Sequence, residues 1–236
     1  MRVHLRPRLE AVAAMVQGSD TLADVGCDHG RLTVSLLQRN MIQRALALDI
    51  SAPSLDKARA LAERCGLGSK IELRLSNGLL GLNAGEADAV VLSGMGGLLI
   101  ARLLDQGAKA ARAAERIVMQ PMGGASDLRR YLCNNRFRIL DEELVYDGGR
   151  FYQVIKAADG EAAQRPPGWP EGIFGFGWVN LEKNAPTLIK LLDRLYEGND
   201  RRLALAKKKG VIPERLIERQ RELEAVRGYL QEKNRR

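Results

Sequence analysis

The sequence predicts a doubly wound α/β sheet followed by a two-helix hairpin, and three observations carry that prediction. Short apolar runs alternate with segments of helical period through residues 1–158, the order that builds a mainly parallel sheet covered on both faces. One of those runs ends in a glycine-spaced turn, Asp24-Val25-Gly26-Cys27-Asp28-His29-Gly30, that opens a helix, as the first βα unit of a nucleotide-binding sheet does. Beyond residue 180 the period is helical throughout, with two leucine stripes separated by Lys209-Gly210-Val211-Ile212-Pro213.

Residues 5–17 read as a helix, because Leu5, Leu9, Val12, Ala13 and Val16 recur near helical spacing. Gly18-Ser19-Asp20 ends it, and Thr21–Val25 is the first strand. After the turn, Leu32–Leu37 starts a helix; Arg44–Asp49 is a second strand, and 53–64 a helix capped by Ser51. Ile71–Leu75 is a third strand. Ala87–Leu92 is a fourth, apolar enough to lie at the centre of a sheet. A helix follows to Leu104, then a strand over Arg116–Gln120 and a helix over 125–135. Phe137–Val145 and Phe151–Lys156 flank Asp147-Gly148-Gly149 and close the sheet as a hairpin, its last strand antiparallel. Residues 159–179 are rich in Pro and Gly and read as an irregular linker. In 180–236, Leu181, Leu188, Leu192, Leu195 and Leu203 form one stripe, and Leu216, Leu223, Val226 and Leu230 another. Pro213 is placed to start the second helix, so the pair should fold back as an antiparallel, coiled-coil-like hairpin.

Composition removes several classes of function. No apolar run is long enough to span a membrane, and Met1-Arg2-Val3-His4-Leu5-Arg6-Pro7 lacks the apolar core of a signal peptide. Cys27, Cys65 and Cys133 are far apart, and His4 and His29 are the only histidines, so no metal site is expected. These features fit a reducing cytoplasm. The net charge of +8 is uneven: residues 1–179 hold 22 Lys and Arg against 20 Asp and Glu, whereas 180–236 hold 15 against 9. A basic surface concentrated in the hairpin suits a polyanion, with Arg201, Arg202, Lys207, Lys208 and Lys209 as phosphate contacts. A solvated helical surface would show the same surplus.

The turn itself is D-x-G-x-D-x-G, from Asp24 to Gly30. A dinucleotide loop has glycine where this chain has Asp28, so that its backbone can approach a pyrophosphate. A carboxylate there repels a pyrophosphate but suits a cationic ligand. S-adenosylmethionine carries a sulfonium and an ammonium, which makes a methyl donor the natural occupant; a strand-to-helix turn without ligand has the same spacing. Asp49 falls 19 residues after Gly30 at the end of the second strand, where an acid accepts from ribose hydroxyls; Ile50 adjoins it. Asn77 and Gly78 end the third strand, where an adenine ring would be met. Gly94, Met95, Gly96 and Gly97 follow the central strand and leave room for the donor and a flat base, or for close helix packing. Gln120 and Pro121 could meet a substrate from the next strand. His29 could handle a proton beside Asp28, or only brace the turn, and Arg31 could meet a phosphate, a base or solvent.

Taken together, Asp24-Val-Gly-Cys-Asp28-His29-Gly30, Asp49, Asn77-Gly78, Gly94-Met95-Gly96-Gly97 and Gln120-Pro121 resemble the bacterial tRNA (adenine-22-N1)-methyltransferases. Arg31 and Asn77 depart from the aromatic and acidic residues common there. The resemblance implies a Rossmann-like class I methyltransferase sheet with a helical hairpin, S-adenosyl-L-methionine as cofactor and tRNA as partner. It implies Asp24, Gly26, Asp28, His29, Asp49, Ile50, Asn77, Gly78, Gly94 and Met95 as donor-binding residues, with Asp28 and His29 nearest the chemistry. Arg31, Gly96, Gln120 and Pro121 would face the RNA base. Two other readings remain open at this point: a methyltransferase for a small molecule or protein with the hairpin as an oligomerisation device, and a non-catalytic RNA-binding protein. Oligomeric state is likewise open, with a monomer favoured.

Overall fold

The apolar runs become strands of a single sheet: β1 (Thr21–Val25), β2 (Arg44–Asp49), β3 (Ile71–Leu75), β4 (Ala89–Gly96), β5 (Arg116–Gly123), β6 (Phe137–Asp147) and β7 (Arg150–Asp159). The computed structural model describes residues 1–161, 171–183 and 186–234. The spatial order is β3-β2-β1-β4-β5-β7-β6. β1 to β5 pair in parallel, while β7 runs antiparallel to both β5 and β6. Chain order reverses between β1 and β4, and in such sheets the crevice beyond the C-terminal strand ends at that point is where ligands bind.

Burial explains why the central strands are near-continuous apolar runs. Leu22, Ala23 and Val25 of β1, Leu46–Leu48 of β2, Val90–Leu92 of β4 and Ile117–Met119 of β5 are all at most 1% exposed. Both faces of those strands are therefore covered. Helix α1 (Pro7–Val16) begins on a proline, whose fixed φ suits a first helical position, and packs on β5, β6 and β7. Helix α2 (Arg31–Gln38) follows β1, and α3 (Ala52–Arg64) follows β2 with the Ser51 hydroxyl accepting from the Ser54 N–H at 3.3 Å. Helices α4 (Gly97–Gln106), α5 (Ala108–Ala113) and α6 (Ala125–Asn134) complete this unit. At its far edge the Arg129 Nε donates to Glu142 at 2.5 Å and Nη2 to Gln153 at 2.6 Å, tying α6 to β6 and β7. Both members of that ion pair are fully buried, so losing either would strand a charge.

Two expectations are corrected and one helix is added. β4 runs four residues past Leu92, and its register against β5 shifts between Ser93 and Met95 and again before Gly96. Gly94 at φ +80° is the kink: an extra residue in one strand bends it, and only glycine takes that φ without penalty. Helix α5 was hidden because its inward residues are alanines, which carry little periodic signal. The 159–179 stretch is not wholly irregular, since a 3₁₀ segment spans Glu171–Gly175 and helix α7 covers Trp178–Lys183. Phe174, Phe176 and Trp178 are buried there, so aromatic burial overrides the Pro and Gly content. The part of the expected linker from 162 to 170 lies outside the described residues.

The chain divides into two units, Met1–Ala163 and Gln164–Arg236, a boundary slightly later than the expected 158. In the second unit, α8 (Pro186–Lys208) and α9 (Glu214–Asn234) form an antiparallel pair. Asn199 meets Leu216 and Gln220, whereas the Arg227 guanidinium lies 4.7 Å from the Tyr196 ring, so the helices run in opposite senses. Leu188, Leu192, Leu223, Val226 and Leu230 are buried as the stripes require; Leu181 belongs to α7 rather than to the long helix. No helix among the described residues is long and apolar enough to cross a membrane.

Candidate active site

The turn after β1 is held by backbone geometry before any ligand is considered. Gly26, Asp28 and Gly30 all have positive φ, +71°, +50° and +65°. The Gly26 and Cys27 N–H groups donate to the Leu48 carbonyl at 2.8 and 3.1 Å, and the Gly30 N–H donates to Cys27 O at 2.8 Å. Aspartate is among the few non-glycine residues that tolerate the left-handed region. Here the Asp28 N–H is secured by donating to Asp49 Oδ2 at 3.0 Å. The second Asp49 oxygen accepts from the Ser51 N–H at 2.9 Å, so one carboxylate joins the end of β2 to the turn after β1.

A cleft of about 390 Å³ opens at the switch point. Its floor is Asp24, Gly26 and Cys27; Asp28, His29 and Arg31 form one rim; Ser93, Gly94 and Met95 form another; Arg8 and Met122 close the remaining side. Asp24 is 4% exposed, and the Thr33 hydroxyl donates to it at 2.6 Å. Burial pushes its carboxyl up to about 6, the Thr33 bond works against that rise, and the nearby Asp49 charge adds to it. Burial, then the charges of Asp24 and Asp49, push the Cys27 thiol well above its usual range, so it stays protonated and is no nucleophile. Asp28 is largely in solvent with His29 Nε2 3.4 Å from its carboxylate.

Glycines in the site have distinct jobs. A Cβ on Gly26 would lie 2.2 Å from the Met95 methyl, so the bare backbone is what lets Met95 lean over the turn. A Cβ on Gly97 would lie 2.2 Å from the Gly124 carbonyl, which makes Gly97 a packing residue. Gly96 faces open space.

Of the residues singled out from sequence, Asp24, Gly26, Asp28, His29, Arg31, Gly94 and Met95 line this one cleft. Asp49, Ile50, Asn77 and Gly78 sit at the ends of β2 and β3 on the same edge of the sheet but do not line it. Asn77 is exposed, precedes a 3₁₀ turn and makes no side-chain cap bond. Arg31 donates to the His4 carbonyl at 3.0 Å, so part of its guanidinium secures the N-terminal segment. Gln120 and Pro121 are buried, and the Gln120 amide is engaged within the protein. Its Oε1 accepts from the Gly94 N–H at 3.2 Å, from Ser93 Oγ at 3.3 Å and from Arg8 Nη1, while Nε2 donates to Pro121 O at 2.9 Å. Its amide is spent on holding the kinked end of β4 and aiming Arg8.

Arg8 is the residue that sequence reasoning missed. It lies on α1, its guanidinium is 5.6 Å from the Tyr152 ring centre, and it supplies the cleft with a half-buried cation. Contacts across 112 positions leave no local pattern to read. The cleft thus offers carboxylates on its floor and rim and a cation opposite, the arrangement that fits an amino-acid zwitterion. Among the described residues no group of three His, Cys, Asp or Glu side chains is placed to hold a metal.

Comparison with known proteins agrees with this geometry. A model of the methyltransferase domain family matches residues 5–155, from α1 to β7. The tRNA (adenine(22)-N(1))-methyltransferase of Bacillus subtilis is 32% identical over 193 residues, 81% of each chain. The chain belongs to this methyltransferase family. A solved structure of a B. subtilis m1A22 tRNA methyltransferase shares 26% identity and a TM-score of 0.80, covering 98% of this chain and 99% of that one. A Streptococcus pneumoniae structure in complex with S-adenosyl-L-methionine shares 27% identity and a TM-score of 0.82, covering 94% of this chain and 99% of that one. The family model spans every element that lines the cleft of this methyltransferase, and the solved relatives extend the match through the hairpin.

Proposed function

We propose that the chain transfers the methyl group of S-adenosylmethionine to N1 of adenine 22 in tRNA. The observation that carries this reading is the cleft at the switch point, whose carboxylates Asp24 and Asp28 replace the pyrophosphate-binding pattern with one for a cation. The B. subtilis relative's name supplies the substrate and position, and the S. pneumoniae complex supplies the donor.

The residues present fit that donor. Asp24 would accept from its ammonium, Arg8 would face its carboxylate, and Asp49 with Asn77 would read the adenosine along the ends of β2 and β3. When bound, the donor supplies an electrophilic methyl on a sulfonium. The N1 lone pair of adenine is already a nucleophile, so no general base is needed to create it, and the protein's main contribution is alignment. Methylation at N1 leaves the ring cationic, and Asp28, beside His29 at the rim, stabilises that charge. Gly94 and Gly96 leave room for the flat ring. N1 lies on the pairing edge, so the target base must leave its stack to reach the cleft. The basic hairpin holds the tRNA backbone through Arg201, Arg202 and Lys207–Lys209. Such a substrate places the enzyme in the cytoplasm.

The test is methyl transfer to an unmodified tRNA transcript carrying adenine 22, alongside the same transcript with guanine there. Incorporation into the first alone supports the assignment; equal incorporation into both refutes the position.

A further inference from the structure

Where α8 and α9 turn back on each other, a groove of about 770 Å³ opens that none of the cleft chemistry uses. Part of its wall is apolar and yet faces solvent: Leu205 is 56% and Val211 73% exposed. Pro213 continues the wall. Exposed aliphatic side chains facing one another across a groove are costly to leave in water and mark a binding surface.

Two further features say what kind of ligand fits. Arg202, Lys209 and Arg215 line the same groove, and among the described residues none of them has a carboxylate within ion-pair distance. Asn199 sits at its floor, 5% exposed. The Asn199 Nδ2 donates to Leu216 O at 3.0 Å and to Gln220 Oε1 at 2.9 Å, which fixes the amide and leaves Oδ1 without a protein donor among the described residues. The amide is thus held in one orientation, with its free oxygen open to solvent and able to take an N–H from a ligand. A ligand with negative charges on one side, a flat apolar body and an N–H donor at the inner edge fits these features, and a nucleotide is such a ligand. The volume lies within the range of about 300–1,000 Å³ common for small-ligand sites.

We propose that the hairpin turn is a nucleotide pocket that takes one unstacked base of the tRNA, separate from the adenine that is methylated. The base lies between Leu205 and the Val211–Pro213 segment, its N–H meets Asn199 Oδ1, and flanking phosphates meet Arg202, Lys209 and Arg215. The proposal rests on the reading of the chain as a tRNA methyltransferase. It adds that the hairpin holds a splayed nucleotide rather than only tracking phosphates, which is how single-stranded RNA loops are commonly recognised.

The experiment uses the full chain. Leu205→Ser with Val211→Ser alters two exposed side chains and no charge, whereas Arg215→Gln removes one cation. Binding of unmodified tRNA is measured by fluorescence anisotropy over a salt series, with donor binding followed by calorimetry. The double serine variant should weaken tRNA binding about tenfold, as loss of apolar contact with a base does, with the salt slope unchanged. Arg215→Gln should lower the slope of log K against log salt by about one. Neither should change affinity for S-adenosylmethionine. Wild-type tRNA affinity in the double serine variant overturns the pocket and leaves a phosphate-tracking surface or a protein-docking groove. If the wild-type chain itself neither binds nor methylates tRNA, the functional reading falls with it; wild-type activity with silent serine variants removes the pocket alone.

Discussion

Replacing Asp24 by Asn probes the charge on which the cleft is built. The fold buries this carboxyl to 4% exposure, and its pKa rises from 3.8 to about 6. Each unit is worth about 1.36 kcal/mol, so keeping Asp24 ionised in the folded, donor-free protein costs about 3 kcal/mol at neutral pH. The folded-state value lies above the unfolded one, so the stabilising effect is complete below about pH 4 and is lost as pH rises through about 6. Asn at this position carries no charge and can still accept from the Thr33 hydroxyl. The variant should therefore be more stable than wild type by up to about 3 kcal/mol at pH 7.5, an advantage shrinking to about 1 kcal/mol at pH 4.5. Urea unfolding at both pH values without donor measures this. The same substitution should weaken S-adenosylmethionine binding about 10- to 100-fold, because the ammonium loses a charged acceptor. Wild-type affinity below pH 6 should fall as well, since protonated Asp24 must first lose its proton. A variant no more stable than wild type at pH 7.5, or with the same advantage at both pH values, would show that Asp24 carries no desolvated charge.

Other sites give further tests. Asp49→Ala should weaken the donor by about 1–3 kcal/mol, through the lost ribose contact and through the Asp28 N–H left without its acceptor; an unchanged constant in calorimetric titration removes Asp49 from the site. Gly97→Ala should destabilise the fold by about 1–3 kcal/mol, because its Cβ would meet the Gly124 carbonyl at 2.2 Å; an unshifted melting temperature would contradict that close approach. Replacing Lys207, Lys208 and Lys209 together with Ala should flatten the salt dependence of tRNA binding by about two to three in log–log slope. The same slope as wild type would show that these lysines are only solvated.

What could be read in the sequence follows from how local each signal is. The strands β1, β2, β4 and β5 announce themselves because burial on both faces makes them largely apolar, β3 at the sheet edge by its alternation of apolar and charged residues, and the turn from Asp24 to Gly30 because its positive φ values demand particular residues. Helix α5 was invisible because alanine packing has no strong period. Aromatic residues buried around 174–178 overrode a composition that otherwise suggests loop. The places of Arg8 and Gln120 depend on a bond joining α1 to β5, which no window of sequence contains. The charge surplus of the hairpin was plain from counting, whereas the groove at its turn needs both helices in place before Asn199, Leu205 and Val211 face a common space.

The most direct test of the account is mass spectrometry of nucleosides from unmodified tRNA incubated with the purified chain and S-adenosylmethionine. 1-Methyladenosine should form only with donor present and be lost when adenine 22 is changed. Methylation at adenine N6 or on another base, or no methylated nucleoside at all from a folded, donor-binding protein, would contradict it.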